Sequence, residues 1–390
     1  MRTISVVTSS RSDYGIYKPI LNKFKQYKEL DVRILATGMH LSTEFGHTID
    51  QIKNDGFEVD DEIEMLLSSD TPEAIATSIG LGVIGFARSY HHYRPEMILV
   101  LGDRFEMYAA ALAALPFNIP VAHIHGGEIT KGAIDDPLRF SLTKLSHLHF
   151  VSTETYKNRV IQLGEEPWRV ILSGAPSLDN LNDIKLLSKE ELGLKYKIDL
   201  SQKPVLVTYH PVTKQINKTE YYIDELIKSL KLINDPIIIT TPNADTSGRI
   251  MINKINDFVK TTKNAWIIDN LGTQDYFSFM AQSAVMIGNS SSGIIEAPSF
   301  KLPVVNIGIR QEGRVRAVNV IDVETDSKSI FDGYQLAMSK EFQDITKKCI
   351  NPYHNGNASE IILDHLNKIK IDEKLIIKNF YDLNTKLSEE

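Results

Sequence analysis

A single cysteine, Cys349, stands in a chain of 390 residues. One thiol permits no internal disulfide, so the fold must rest on its packed core, as in a reducing compartment. Long apolar runs are missing as well: nothing approaches the ~18 residues that a membrane-spanning helix requires. The apolar run within the opening MRTISVVTSS is too short for a secretory core. The expectation is therefore a soluble, cytoplasmic protein. Basic charge is also not in excess. A net charge of −7 and a pI near 5.9 offer no general attraction to nucleic acid or anionic membrane. Any phosphate binding has to come from a local site.

What the chain does have is length and alternation. With 390 residues, 42% of them hydrophobic, it exceeds the ~250–300 residues over which one core usually grows, so two domains are expected. Short β-rich runs alternate with longer amphipathic ones. Strands are expected at Ile4–Thr8, Val32–Ala36, Met97–Leu101, Val121–Ile124 and Leu148–Val151. A second set is expected at Val205–Tyr209, Ile237–Thr241, Trp266–Ile268, Val285–Ile287 and Val304–Ile307. Most lack strict alternation, as befits parallel strands buried on both faces. Helices are expected between them, for example over Ile16–Tyr27 and Asp275–Ala281. The class is α/β: two Rossmann-like domains with parallel sheets, facing each other across a cleft. The break falls between Gly174 and Pro204, giving domains 1–175 and 176–373. The tail Lys374–Glu390 has a helical pattern and is expected to pack back on the first domain.

In open parallel sheets, ligands gather beyond the carboxyl ends of the strands. Thr8-Ser9-Ser10-Arg11-Ser12-Asp13-Tyr14-Gly15 closes the first strand and offers a phosphate helix N–H groups and an arginine fork. Gly102-Asp103-Arg104 closes another, with Asp103 and Arg104 directed toward the cleft. His123-Ile124-His125-Gly126-Gly127-Glu128 precedes Asp135-Asp136-Pro137-Leu138-Arg139. Two histidines at i, i+2 share a strand face, but no HExxH motif or cysteine pair accompanies them. The chain also lacks any Asp-X-Asp, with which metal-dependent nucleotide-sugar transferases often hold a divalent ion. No metal is expected, and an acid–base cluster of carboxylates and histidines is.

The strongest local signal is Gly288-Asn289-Ser290-Ser291-Ser292-Gly293-Ile294-Ile295-Glu296. A strand, a Gly/Ser-rich turn and a helix start form a cradle for a diphosphate, with Glu296 placed to accept from ribose hydroxyls. Arg310 and Arg314 follow the next strand and add positive charge. By contrast, Gly80-Leu81-Gly82-Val83-Ile84-Gly85 matches a dinucleotide fingerprint in letters only. The fingerprint needs a strand before it, whereas Thr71-Pro72-Glu73 starts a helix that carries these glycines into its interior.

These motifs, in this order, resemble those of the hydrolysing UDP-N-acetylglucosamine 2-epimerases, including the epimerase domain of the animal bifunctional sialic-acid enzyme. The likeness runs along nearly the whole chain. It is carried by Arg11–Gly15, Gly38-Met39-His40, Leu101–Arg104, His123–Glu128, Ile134-Asp135-Asp136, His210-Pro211-Val212-Thr213, Pro242-Asn243, Gly288–Ser291 and Arg310–Arg314. The resemblance implies a GT-B fold with UDP held mainly by the second domain, no cofactor, and a homodimer or tetramer. It implies conversion of UDP-GlcNAc and water to N-acetylmannosamine and UDP in nonulosonic acid synthesis. A close branch acts instead on UDP-2,4-diacetamido-2,4,6-trideoxyglucose, on the route to legionaminic acid. By the same resemblance Arg11, His210, Asn243, Ser290, Ser291, Glu296 and Arg310 bind the nucleotide, joined by Arg104 and Arg314. Asp103, Asp135 and Arg139 form the catalytic cluster, with His125, Glu128 and His40 beside them. Many relatives have Glu where this chain has His125, and some carry a lysine where it has Ile16. Other readings remain open at this point: a GT-B glycosyltransferase, a non-hydrolysing epimerase, and, least supported, an NAD-dependent dehydrogenase.

Overall fold

The computed structural model describes residues 1–69, 71–130, 135–241, 248–269 and 271–383. The chain forms two compact units. The first comprises Met1–Glu128, Asp135–Asp179 and Tyr353–Glu390, the second Ile129–Ile134 and Asn180–Pro352.

The first unit is built on seven parallel strands: β1 (Arg2–Thr8), β2 (Leu30–Thr37), β3 (Asp61–Ile63), β4 (Met97–Leu101), β5 (Val121–Ile124), β6 (Leu148–Val151) and β7 (Val170–Leu172). They lie in the order β3-β2-β1-β4-β5-β6-β7. The second unit has β8 (Val205–Thr208), β9 (Ile237–Thr240), β10 (Ala265–Ile268), β11 (Val285–Gly288), β12 (Val304–Ile307) and β13 (Val320–Val323), in the order β10-β9-β8-β11-β12-β13. All ten strands expected from the sequence are present. The three not foreseen, β3, β7 and β13, are all edge strands, short or partly charged. Edges of this kind resist pairing with other chains, and for the same reason carry little hydrophobic signal.

Alternation along each strand feeds two faces. Ile4, Val6, Leu99, Ile124 and Phe150 pack with Tyr17, Ile20 and Phe24 on one side of the first sheet. Val7, Leu35, Ile98, Val100 and Val121 pack with Phe86, Tyr90 and Met107 on the other. The second sheet is covered on both faces in the same way. The glycines of the fingerprint look-alike lie inside the helix Pro72–Tyr93. A Cβ on Gly82 would come within 2.6 Å of Met65, and one on Gly85 within 2.6 Å of Ile63, so they serve close packing.

The tail departs from expectation. Among the described residues of the tail, helix is confined to Glu373–Ile376, and the chain continues without helix to Leu383. The buried Arg169 guanidinium takes the carbonyls of Lys374 (2.8 Å), Leu375 (2.8 Å) and Ile377 (3.0 Å), the acceptors a longer helix would have used. Among the described residues, no helix is long and apolar enough to cross a membrane.

Candidate functional site

The strand order reverses at two places, between β1 and β4 and between β8 and β11. In doubly wound sheets, such switch points leave a crevice at the carboxyl ends. The expected motifs sit at these ends in both units.

In the first unit, the Arg11 motif is the first turn of a helix, Arg11–Phe24, rather than a loop ahead of one. The two amides just ahead of that helix are already used. The Asp13 carboxylate accepts from the backbone of Ser9 (2.9 Å) and Ser10 (3.0 Å) and from the hydroxyls of Thr8 (2.6 Å) and Ser9 (2.7 Å). Burial alone would raise this carboxyl, but the nearby His40 and the hydrogen bonds from Thr8 and Ser9 hold it below the usual range. The motif therefore offers a phosphate the half-exposed Arg11 side chain, not the Ser9 and Ser10 amides. His40 has no exposure, and both of its nitrogens are engaged, Nε2 with Thr8 Oγ1 at 3.0 Å and Nδ1 with Thr48 Oγ1 at 2.8 Å. It fastens the loop after β2 to the end of β1.

Gly102 follows β4 with φ +76°, a backbone that favours glycine. The turn delivers Asp103 to Arg139, which also pairs with Asp136 at 3.1 Å. Arg139 is itself buried, so the Asp103 carboxylate is oriented by a guanidinium fixed from behind. Asp135 is the first residue of that helix, Asp135–Leu145. Arg104 is turned onto the buried Glu106 through two nitrogens, at 2.8 and 3.2 Å. Its fork is largely spent there.

His123 and His125 do not act as a pair. His123 lies within β5 and bonds the Gly102 carbonyl at 2.7 Å. His125 lies beyond the strand with φ +65°, which costs a residue with a Cβ on the order of 1 kcal/mol or more. Its Nδ1 meets Glu128 Oε1 at 2.7 Å, and the same oxygen accepts from Ser152 Oγ at 3.0 Å. A carboxylate opposite Nδ1 places the proton there and leaves Nε2 as the lone-pair nitrogen of the neutral ring. The result is an oriented imidazole suited to proton transfer. No group of three or more His, Cys, Asp or Glu side chains among the described residues is arranged to hold a metal.

The second unit presents different chemistry. Gly288 ends β11 with φ +149°, and an added Cβ would overlap the Thr208 carbonyl oxygen of β8. That contact lets the two loops meet. Asn289, fully buried, accepts from the His210 amide at 2.7 Å and donates to the His210 carbonyl at 2.8 Å. Its own carbonyl receives Arg310 at 3.2 Å and Gln311 at 2.8 Å. One amide side chain thus ties the ends of β8 and β11 together, and its backbone holds the loop after β12. His210 is driven down to about 3 by burial and then by the Arg310 charge, so it is neutral at physiological pH.

The serine cradle is present, but its helix is a single turn, Ser292–Ile295. Pro298 has no N–H to give the Ile294 carbonyl, so the helix stops. The macrodipole contribution expected of a long helix shrinks accordingly. Ser290 Oγ caps the Ser292 amide at 3.3 Å, and Glu296 is buried at the turn's end. Tyr276, which the motifs did not flag, reaches Thr208 Oγ1 at 3.3 Å. Burial, reinforced by Glu296, pushes its phenol up to about 12, although hydroxyls of Thr208, Ser292 and Ser290 pull the other way. It is a permanent donor beside the cradle. Arg314 reaches Thr130 Oγ1 at 3.4 Å. Asn243 lies outside the described residues, as does Ile134.

The family profile described as UDP-N-acetylglucosamine 2-epimerase matches residues 22–367. A Campylobacter jejuni protein named GDP/UDP-N,N'-diacetylbacillosamine 2-epimerase (hydrolyzing) is 39% identical over 386 residues, covering 98% of this chain and 99% of that one. The Legionella pneumophila UDP-N,N'-diacetylbacillosamine 2-epimerase (hydrolyzing) is 37% identical over 378 residues, covering 97% and 99%. Among solved structures, the Neisseria meningitidis UDP-GlcNAc 2-epimerase bound to UDP-GlcNAc superposes with a TM-score of 0.82 at 21% identity, covering 95% of this chain and all of that one. The two parallel α/β sheets are thus of the GT-B kind.

Proposed function

Since the chain belongs to the UDP-N-acetylglucosamine 2-epimerase family, we propose that it is a hydrolysing 2-epimerase whose preferred substrate is UDP-2,4-diacetamido-2,4,6-trideoxyglucose. The products are UDP and the free 2-epimeric diacetamido sugar. The sugar is the one for which the relatives at 39% and 37% identity are named, each over almost its whole length. UDP-GlcNAc, giving N-acetylmannosamine, is the second reading, favoured by the family description and the order of the motifs.

One observation carries the chemistry: the first unit holds two separately oriented proton carriers at neighbouring strand ends. These are Asp103 against Arg139, and His125 against Glu128. Epimerisation needs two. The C2–H adjoins no carbonyl and is hardly acidic, so the reaction is driven by departure of UDP from C1. Asp103 takes the C2 proton as the C1–O bond breaks, leaving a glycal. Water then adds at C1 and gives up a proton to the lone-pair Nε2 of His125. The imidazolium, held by Glu128, returns a proton to C2 from the opposite face, so that the His125–Glu128 pair is the second carrier. This gives His125 the place that Glu holds in many relatives. Asp135, next to Asp136 in the same helix, supports the cluster.

The second unit supplies the groups suited to the leaving diphosphate: Arg310, the hydroxyls of Ser290 and Ser291, and the Tyr276 phenol, with His210 and Glu296 for the nucleoside. Arg11 and Arg314 add charge. A desolvated donor aimed at developing charge lowers the barrier by about 3–4 kcal/mol.

The test is incubation with each sugar nucleotide in D2O with EDTA, followed by proton NMR. Release of UDP and a free sugar deuterated at C2 is expected, faster from the diacetamido substrate. Retention of UDP on the epimerised sugar would show a non-hydrolysing enzyme. Turnover of UDP-GlcNAc alone would select the second reading.

A further inference from the structure

His123 has no part in the mechanism above, yet it is among the most constrained side chains in the first unit. It has no exposure, and its Nε2 lies 2.7 Å from the Gly102 carbonyl oxygen. A carbonyl only accepts, so Nε2 carries the proton and Nδ1 is a bare lone pair. Nδ1 is buried, and no described residue donates to it. An unmatched buried acceptor costs about 1–3 kcal/mol, which an apolar side chain at this core position would not incur. The imidazole is therefore not there for the stability of β5.

The carbonyl it holds is particular. Gly102 donates its N–H to Ile124 at 2.9 Å, the last bond of the β4–β5 ladder. At φ +76° the chain then leaves the sheet, so its carbonyl has lost its place in the ladder. His123, one residue back on β5, follows that carbonyl with a side chain. The Gly102 carbonyl and the Asp103 amide are one rigid peptide plane. Fixing the oxygen fixes the N–Cα bond of Asp103, leaving only its φ to set where the side chain leaves the backbone. Arg139 then holds the carboxylate from its far end.

We propose that His123 is a positioning residue for Asp103, acting through the Gly102–Asp103 peptide and touching no substrate. The proposal rests on Asp103 being a proton carrier in the reaction proposed above.

Burial leaves His123 neutral, its pKa brought down to about 3. The hydrogen bond is thus one of fixed tautomer across the working pH range.

The test compares His123→Gln with His123→Asn. Both are neutral amides, but the Gln nitrogen reaches where Nε2 stood and the Asn nitrogen falls short. The expected result for His123→Asn is a kcat lowered roughly 10- to 100-fold, the scale of a misplacement of about 1 Å, with KM little changed. His123→Gln should recover most of that rate at a similar melting temperature. Equal rates in the two variants, whether both high or both low, would overturn the proposal. Should His123→Asn fail to fold, the tautomer in the unmodified enzyme decides. Nitrogen-15 histidine NMR is expected to show a protonated Nε2 and bare Nδ1 for His123, and the reverse would overturn it. The NMR result does not depend on turnover. Failure of the unmodified enzyme to process either sugar nucleotide with this tautomer present would therefore strike the proposed function and not the geometry.

Discussion

The two sheets share an order and a switch point, yet their carboxyl ends carry opposite chemistry. At the end of the first lie Asp13, Asp103, Glu106, Glu128 and Asp136, each matched to a histidine, arginine or hydroxyl partner. At the end of the second most groups are neutral, Asn289, Ser290, Ser292, His210 and Tyr276, with Arg310 and the buried Glu296 among them. The topology decides where a ligand sits. The side chains decide whether that place moves protons or holds a polyanion. The unit rich in carboxylates is suited to acid–base work, and the unit rich in hydroxyls and amides to phosphate and nucleoside.

This contrast is breakable. The largest effect is expected from Gly288→Ala, because a Cβ would overlap the Thr208 carbonyl. A loss above about 4 kcal/mol, the range of severe backbone conflict, should appear as a collapsed thermal transition and lost UDP binding. Next is Asp103→Asn. Loss of a positioned proton carrier lowers kcat by about 10²- to 10⁴-fold, while UDP affinity measured by calorimetry stays near that of the unmodified enzyme. Near-normal turnover would remove Asp103 from its role.

A third prediction concerns stability in acid. Burial alone would raise Glu165, but His149, Lys378 and Lys144 hold it down to about 2 from an ordinary 4.5. A depressed carboxyl stabilises the folded state above its unfolded value and loses that contribution as pH falls toward the folded one. The melting temperature should therefore decline between pH 4.5 and about 2, by up to about 3 kcal/mol in stability. In Glu165→Gln this share of the decline should vanish. An identical acid profile in the two proteins would show that the group is not responsible.

The smallest effect is expected from Tyr276→Phe. It removes one hydroxyl worth about 1 kcal/mol, so UDP should bind several-fold more weakly with little change in kcat. A change in kcat without one in UDP affinity would blur the division between the two units.

Much of this was legible in the sequence, for stated reasons. The central strands announce themselves because burial on both faces demands continuous Val, Ile and Leu. Arg11, Asp103, Glu128, Ser290 and Arg310 lie next to such runs and inherit their place from them. Edge strands such as Asp61–Ile63 carry no such demand and were not visible. Nor were the supporting residues. Glu106 and Tyr276 sit inside ordinary helical patterns, and nothing in their neighbours along the chain marks them, while His123 is visible only as a partner of His125, a pairing the fold does not make.

Sequence by itself thus determined the class, the two parallel sheets and the loops that carry the chemistry, because hydrophobic period and turn residues are local properties. Only the tertiary structure decided what each polar group is free to do. Asp13 is consumed by the Ser9 and Ser10 amides, Arg104 by Glu106 and His40 by two threonines. His125 instead keeps a lone-pair nitrogen through Glu128. A hydrogen bond commits a group to one partner, and His40 and Thr8 stand 32 residues apart along the chain, brought together only by folding.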